Sequence, residues 1–134
     1  MANAEQTLSR DYDIVVCGAS GFTGRLVAEH VLSTYGATGE IRWAIAARSI
    51  GELAEVRDLI GGPSDLPLIP ADASDPASLK ALAKSTKVII STVGPYQLYG
   101  EDLVAACVVT GTDYVDLYGE PAWMVVASTL FFLI

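Results

Sequence analysis

The stretch VVCGASGFTGR, residues 15–25, decides how the chain is read. Gly18, Gly21 and Gly24 stand three apart directly behind an apolar run. Residues 12–17, YDIVVC, are β-branched and aromatic with little polar interruption. That is the pattern of a strand buried on both faces, as in a parallel sheet. From Phe22 to Tyr35 the positions Val27, Val31 and Tyr35 recur every four residues, as do Ala28 and Leu32, which is a helical period. The glycines therefore occupy a strand-to-helix turn. A helix start presents unpaired N–H groups and a partial positive charge, both suited to a phosphate. On this reading Gly18 makes the turn, Gly21 lets a pyrophosphate approach with no Cβ in the way, and Gly24 lets the helix pack on the sheet. Ala19, Ser20, Phe22 and Thr23 complete the loop around the phosphates. The spacing is G-x-x-G-x-x-G rather than the commoner G-x-G-x-x-G.

Outward from this turn, strand-like and helix-like segments alternate. IRWAIAA (41–47) reads as a second strand. Ser49 with Glu52 has the S-x-x-E spacing of a capping box and opens a helix to about Ile60, with Leu53, Val56 and Ile60 inward. Gly61-Gly62-Pro63 ends it. LPLIP (66–70) is a short third strand, and Asp75-Pro76 is an N-cap followed by proline at the first helical position. That helix runs to about Lys84. KVIIST (87–92) is the fourth strand, residues 101–110 form a fourth helix facing in through Leu103, Val104, Cys107 and Val108, and DYVDL (113–117) is the fifth strand. The alternation predicts an α/β fold, a Rossmann-type doubly wound parallel sheet with strand order 3-2-1-4-5.

In such a sheet ligands bind beyond the carboxyl ends of the strands, so the residues after each strand are the candidates. After strand two an acid usually meets a free ribose 2′-hydroxyl. This chain has Ala47-Arg48-Ser49 instead. A guanidinium there suits a 2′-phosphate, with Ser49 as a second contact, so NADP(H) is expected in preference to NAD(H). After strand three, Asp72 could reach an adenine amino group or could bond its own backbone in a turn. After strand four, Thr92, Val93, Gly94 and Pro95 offer small side chains against which a nicotinamide could lie. Tyr96 reads as an exposed loop residue. After strand five, Asp116 and Glu120 read as solvated or capping carboxylates rather than catalytic ones. No catalytic residue is assigned and no metal site is expected.

Other features narrow the field. Sixteen acids against eight bases give a net charge of −8, which argues against nonspecific nucleic-acid binding. The chain is 51% hydrophobic, so it can bury a core. Cys17 and Cys107 form no CxxC pair and read as two buried thiols in a reducing compartment. His30 lies mid-helix, remote from the glycine turn. None of the six tyrosines has a lysine four residues on, which excludes the Tyr-x-x-x-Lys proton donor of short-chain isomerases and dehydratases. The N-terminus lacks the basic and apolar regions of a signal peptide, and no apolar stretch reaches the roughly 20 residues of a membrane helix.

Four stretches, YDIVVCGASGFTGR, WAIAARS, STVGPYQLYGE and GTDYVDLYGE, together resemble the NADP-binding half of the saccharopine dehydrogenase-like oxidoreductases, a family that includes bacterial trans-acting enoyl reductases. The resemblance implies hydride transfer with a nicotinamide cofactor and a small-molecule or acyl-type substrate held by a second domain. It supports Gly18, Gly21, Gly24 and Arg48 as cofactor residues. The expected organisation is a flexible segment 1–10, a Rossmann domain 11–122 and an apolar tail 123–134. The uncharged end, MVVASTLFFLI, departs from the more polar helix of the family. It suggests a truncated, frame-shifted or partial chain that lacks the second domain. It also offers a surface for self-association. A cytoplasmic location is expected, with membrane association as the alternative. The alternative reading is a non-catalytic module that binds or senses NADP(H).

Overall fold

A computed structural model describes residues 10–93 and 100–116. Among the described residues five strands alternate with four helices. They are β1 (Tyr12–Cys17), α1 (Phe22–Tyr35), β2 (Trp43–Ala47), α2 (Ile50–Leu59), β3 (Leu68–Pro70), α3 (Pro76–Lys84), β4 (Thr86–Ser91), α4 (Glu101–Thr110) and β5 (Asp113–Asp116). All paired strands are parallel and the order is β3-β2-β1-β4-β5, as the alternation predicts. Each strand-helix-strand step therefore crosses over the sheet, and the direction of travel reverses after β3.

Strand side chains alternate between two apolar layers. Val16, Trp43 and Ile45 face α1 and α2, meeting Ala28, Val31, Leu53 and Val56. Val15, Cys17, Ala44 and Ile89 face α3 and α4, meeting Leu79, Leu82, Leu103 and Cys107. Val15, Val16, Ile45 and Ile89 are fully buried, so the central strands are covered on both faces. The buried Trp43 indole donates to the Gly36 carbonyl at 2.7 Å and is satisfied. Tyr35, in the predicted inward stripe of α1, is instead 47% exposed, as the last residue of the helix.

Local capping follows the sequence. Ser49 accepts the Glu52 N–H at 3.2 Å, and Asp75 accepts the Ala77 N–H at 3.1 Å with Pro76 behind it. Each satisfies a donor that the first turn would leave unpaired.

One boundary is corrected. Arg10 was expected in the segment preceding the domain, yet it is 7% exposed and bonded into the fold. Its guanidinium donates to the carbonyls of Ala83 (2.7 Å) and Thr86 (3.2 Å), to the Thr112 hydroxyl (3.0 Å) and to the Thr110 carbonyl. Two of those carbonyls end α3 and α4, where the helix dipoles are negative. The expectations for Gly94, Pro95, Tyr96, Leu117, Glu120 and the tail 123–134 lie outside the described residues. Among the described residues no helix is long and apolar enough to cross a membrane.

Candidate functional site

The sheet order reverses between β1 and β4, and a cleft of about 330 Å³ opens at the carboxyl ends of the strands there. Gly18 and Ser20 after β1, Arg48 after β2, Asp72 after β3 and Val93 after β4 all line it. Five of the predicted residues, from four separate loops, thus share one cavity. Leu79, Leu82 and Leu103 from α3 and α4 supply an apolar wall that the loop-by-loop reading missed. Their inward helical spacing was legible, but their role as cleft wall was not.

The three glycines divide their work. Gly18 has φ +78°, a left-handed conformation that favours glycine, and a Cβ there would lie 2.7 Å from Thr92 Oγ1. A Cβ on Gly24 would collide with the Gly18 carbonyl oxygen and lie 2.7 Å from Thr92 Oγ1, so Gly24 lets α1 sit on the turn. Gly21 differs. Its φ is −80°, and a Cβ would meet only the Gly18 oxygen at 3.4 Å, an ordinary contact. Nothing inside the described protein requires glycine at Gly21.

Gly21 is also the N-cap of α1, with no side-chain cap. Its N–H reaches the Gly18 carbonyl at 3.1 Å, and Arg25 N–H reaches the Gly21 carbonyl at 3.0 Å. The N–H groups of Phe22, Thr23 and Gly24 find no acceptor among the described residues. No acid stands in the first turn to offset them. An uncapped helix start with free N–H groups and no acid is an anion site in form. Ala19 and Gly24 are buried behind the loop, while Ser20, Gly21, Phe22 and Thr23 are exposed. The Arg25 guanidinium, which the sequence reading did not single out, stands 5.7 Å over the Phe22 ring and adds a cation beside this helix start. A base directly after the third glycine was the available signal.

Arg48 is exposed and makes no hydrogen bond or ion pair among the described residues. Ser49 is occupied as an acceptor in its cap but keeps its own hydroxyl hydrogen. Asp72 accepts the Ser74 N–H at 2.9 Å and the Ser74 hydroxyl at 2.8 Å, so it carries the local turn foreseen as its second possibility. These bonds, the backbone one first, hold its carboxyl below the usual range, with Arg48 adding through space. Thr92 directs its hydroxyl inward, to the Cys17 carbonyl at 2.7 Å and the Gly18 carbonyl at 3.2 Å. Burial, the main cause, pushes the Cys107 thiol up to about 12 and Cys17 higher still. Neither is a thiolate near neutral pH, as expected of packing cysteines. His30 is exposed on α1, 3.5 Å from Thr34 Oγ1. Among the described residues no cluster of His, Cys, Asp or Glu could hold a metal.

The parallel sheet, its switch-point cleft and the glycine turn at a helix start define a Rossmann-type dinucleotide-binding domain. Residues 14–129 match the family described as the saccharopine dehydrogenase NADP binding domain, and the chain belongs to that family. A trans-acting enoyl reductase of Mycobacterium leprae is 53% identical over 112 residues, covering 83% of this chain and 26% of the relative. One from Mycobacterium tuberculosis (strain ATCC 25618 / H37Rv) is 52% identical over 112 residues, with the same coverage of 83% and 26%. The chain thus spans about a quarter of the length of these curated relatives. Among solved structures, apo saccharopine dehydrogenase (L-Glu forming) from Saccharomyces cerevisiae matches with a TM-score of 0.64 at 24% identity, over 84% of this chain and 23% of that one. Citrobacter sp. triphenylmethane reductase complexed with NADP(H) matches with a TM-score of 0.63 at 20% identity, over 78% and 36%. At those identities the two structures attest the fold.

Proposed function

We propose that this domain holds NADP(H) in preference to NAD(H), for hydride transfer between the nicotinamide and an enoyl or imino/amino-acid type substrate. The observation that carries the binding mode is the start of α1. Gly21 has no internal reason to be glycine, and three N–H groups beside it are unspent. A pyrophosphate accounts for both, since it needs donors and needs the Cβ absent. Arg48 and the Ser49 hydroxyl take the 2′-phosphate. Arg48 makes no hydrogen bond or ion pair among the described residues and feels only the through-space pull of Asp72, at the strand end where an acid would serve a free ribose. Leu79 and Leu82 back the cleft on the side of Asp72 and offer an apolar surface to the adenine. The segment after β4, Thr92 and Val93 with Gly94 and Pro95 next in sequence, is assigned to the nicotinamide end.

The cofactor, when bound, supplies the hydride-transfer chemistry. This chain's residues bind and orient it. A substrate-holding part is expected outside the quarter of the relatives' length that this chain spans, and no acid or base in the cleft is assigned a catalytic role. Its two cysteines, buried and free, suit a reducing compartment such as the cytoplasm. Titration calorimetry of the 134-residue chain with NADPH and with NADH tests the reading. Tighter binding of NADPH, by about tenfold or more, is expected from a charge-assisted contact. Equal affinities would overturn the preference, and no binding of either would overturn the site.

A further inference from the structure

We propose that Thr92 is a positioning residue for the phosphate loop and does not contact the cofactor through its hydroxyl. The inference rests on the cofactor reading above and assigns a cause to the loop's geometry.

Thr92 follows β4, yet its side chain belongs to the turn after β1, 74 and 75 residues away. A hydroxyl has one hydrogen. The 2.7 Å contact to the Cys17 carbonyl takes most of it, and the 3.2 Å contact to the Gly18 carbonyl shares the rest. The Gly18 carbonyl is then a hub. It accepts the Gly21 N–H at 3.1 Å, it is approached by the Thr92 hydroxyl, and Gly24 packs directly over it. A chain of contacts runs from Thr92 to the Gly18 carbonyl, from there to the Gly21 N–H, and so to the free N–H groups that open α1. The turn is also built around the oxygen sterically. Thr92 Oγ1 lies 2.7 Å from the place a Cβ would occupy on either Gly18 or Gly24. Replacing that oxygen by a methyl leaves an apolar group against two carbonyl oxygens at hydrogen-bond distance, so the turn must shift. Arg48 stands in the turn after β2 and shares none of these contacts.

The test uses the 134-residue chain and two variants, Thr92→Val and Thr92→Ser, with NADPH and 2′-AMP as probes. The nucleotide 2′-AMP carries the phosphate assigned to Arg48 and lacks the pyrophosphate. Thr92→Val should bind NADPH about tenfold more weakly, the effect of one lost hydrogen bond. Its affinity for 2′-AMP, followed by NMR titration, should stay within about twofold, where a generally loosened fold would weaken both. Thr92→Ser keeps the hydroxyl and should restore NADPH binding. The proposal is overturned if Thr92→Val binds NADPH as the unmutated chain does, if it loses both probes equally, if it does not fold, or if Thr92→Ser fails to rescue. An unmutated chain that binds no NADPH would overturn the cofactor reading itself, and this inference with it.

Discussion

The two ends of the sheet treat charge in opposite ways. At the amino ends of the strands every charged group named is answered by another part of the chain. Arg10 is spent on two helix ends, β4 and Thr112, and Thr112 passes the network on by donating to the Ala83 carbonyl at 2.6 Å. Asp13 accepts the Arg42 N–H at 2.9 Å and pairs with Lys87 at 3.0 Å and with the Arg42 guanidinium at 3.5 Å. At the carboxyl ends the donors are left over. Three N–H groups at α1 have no acceptor among the described residues, and the Arg48 guanidinium makes no hydrogen bond or ion pair there, only a through-space interaction with Asp72. One end of the molecule is built for stability and the other for a visitor. A mutation at the first should change the melting point, and a mutation at the second should change affinity.

The largest effect is expected where a network is broken outright. Arg10→Ala strands the acceptors that hold α3, β4 and α4 together. It should cost about 3 kcal/mol or more of stability, lowering the thermal midpoint by about 10 °C. NADPH affinity, measured below that midpoint, should be unchanged. A variant that melts normally would show that the amino-end network carries little. Gly21→Val is the converse. The fold has room for the side chain, so the melting point should move by less than about 1 kcal/mol equivalent, within the range of surface substitutions. NADPH binding should fall by about a hundredfold, the loss of roughly two charge-assisted hydrogen bonds. Normal titration of this variant would remove the phosphate from the glycine turn.

Arg48→Ala is expected to weaken NADPH by about 1 to 3 kcal/mol and to leave NADH unchanged, since only the 2′-phosphate is lost as a partner. Calorimetry with both cofactors reads the two directly, and an equal loss for both would make Arg48 a general attractor of anions. The smallest effect concerns acid. The Arg42 N–H, ahead of Lys87 and the Arg42 side chain, holds the Asp13 carboxyl below its ordinary 3.8, against the opposing effect of burial. A carboxyl lowered in the folded state stabilises it above pH 3.8. That contribution fades as pH falls from there through the folded-state value. Asp13→Asn should therefore lower the midpoint slightly at pH 7, by well under 1 kcal/mol because the partners are exposed, and the difference should vanish once the pH is below the folded-state value of the carboxyl. Equal destabilisation at both pH values would mean that the amide cannot replace the carboxylate as acceptor for Arg42, and that charge is not the cause.

Much of the candidate site could be read before any fold was known. The glycine triplet, Arg48 in place of an acid, and the Ser49 and Asp75 caps are local patterns. Each depends on residues within a few positions of one another. Asp72 was half legible, because its turn partner Ser74 is also local but its closeness to Arg48 is not. Thr92 was read as a cofactor contact from its place after a strand, and nothing near it in sequence points inward to Cys17 and Gly18. Arg10 was set outside the domain for the same reason. Its partners are 73 to 102 residues away, and no local pattern marks an arginine whose acceptors are carbonyls.

The sequence alone determined the order of elements, their caps, the parallel sheet and the place of the glycine turn, because hydrophobic period, glycine freedom and capping are properties of neighbouring residues. Only the tertiary structure decided which of the three glycines faces outward, which polar groups are spent on the fold, and which remain for a ligand. Those depend on what lies across the sheet from each residue. A backbone hydrogen bond or a missing Cβ has meaning only against the atoms that packing brings beside it.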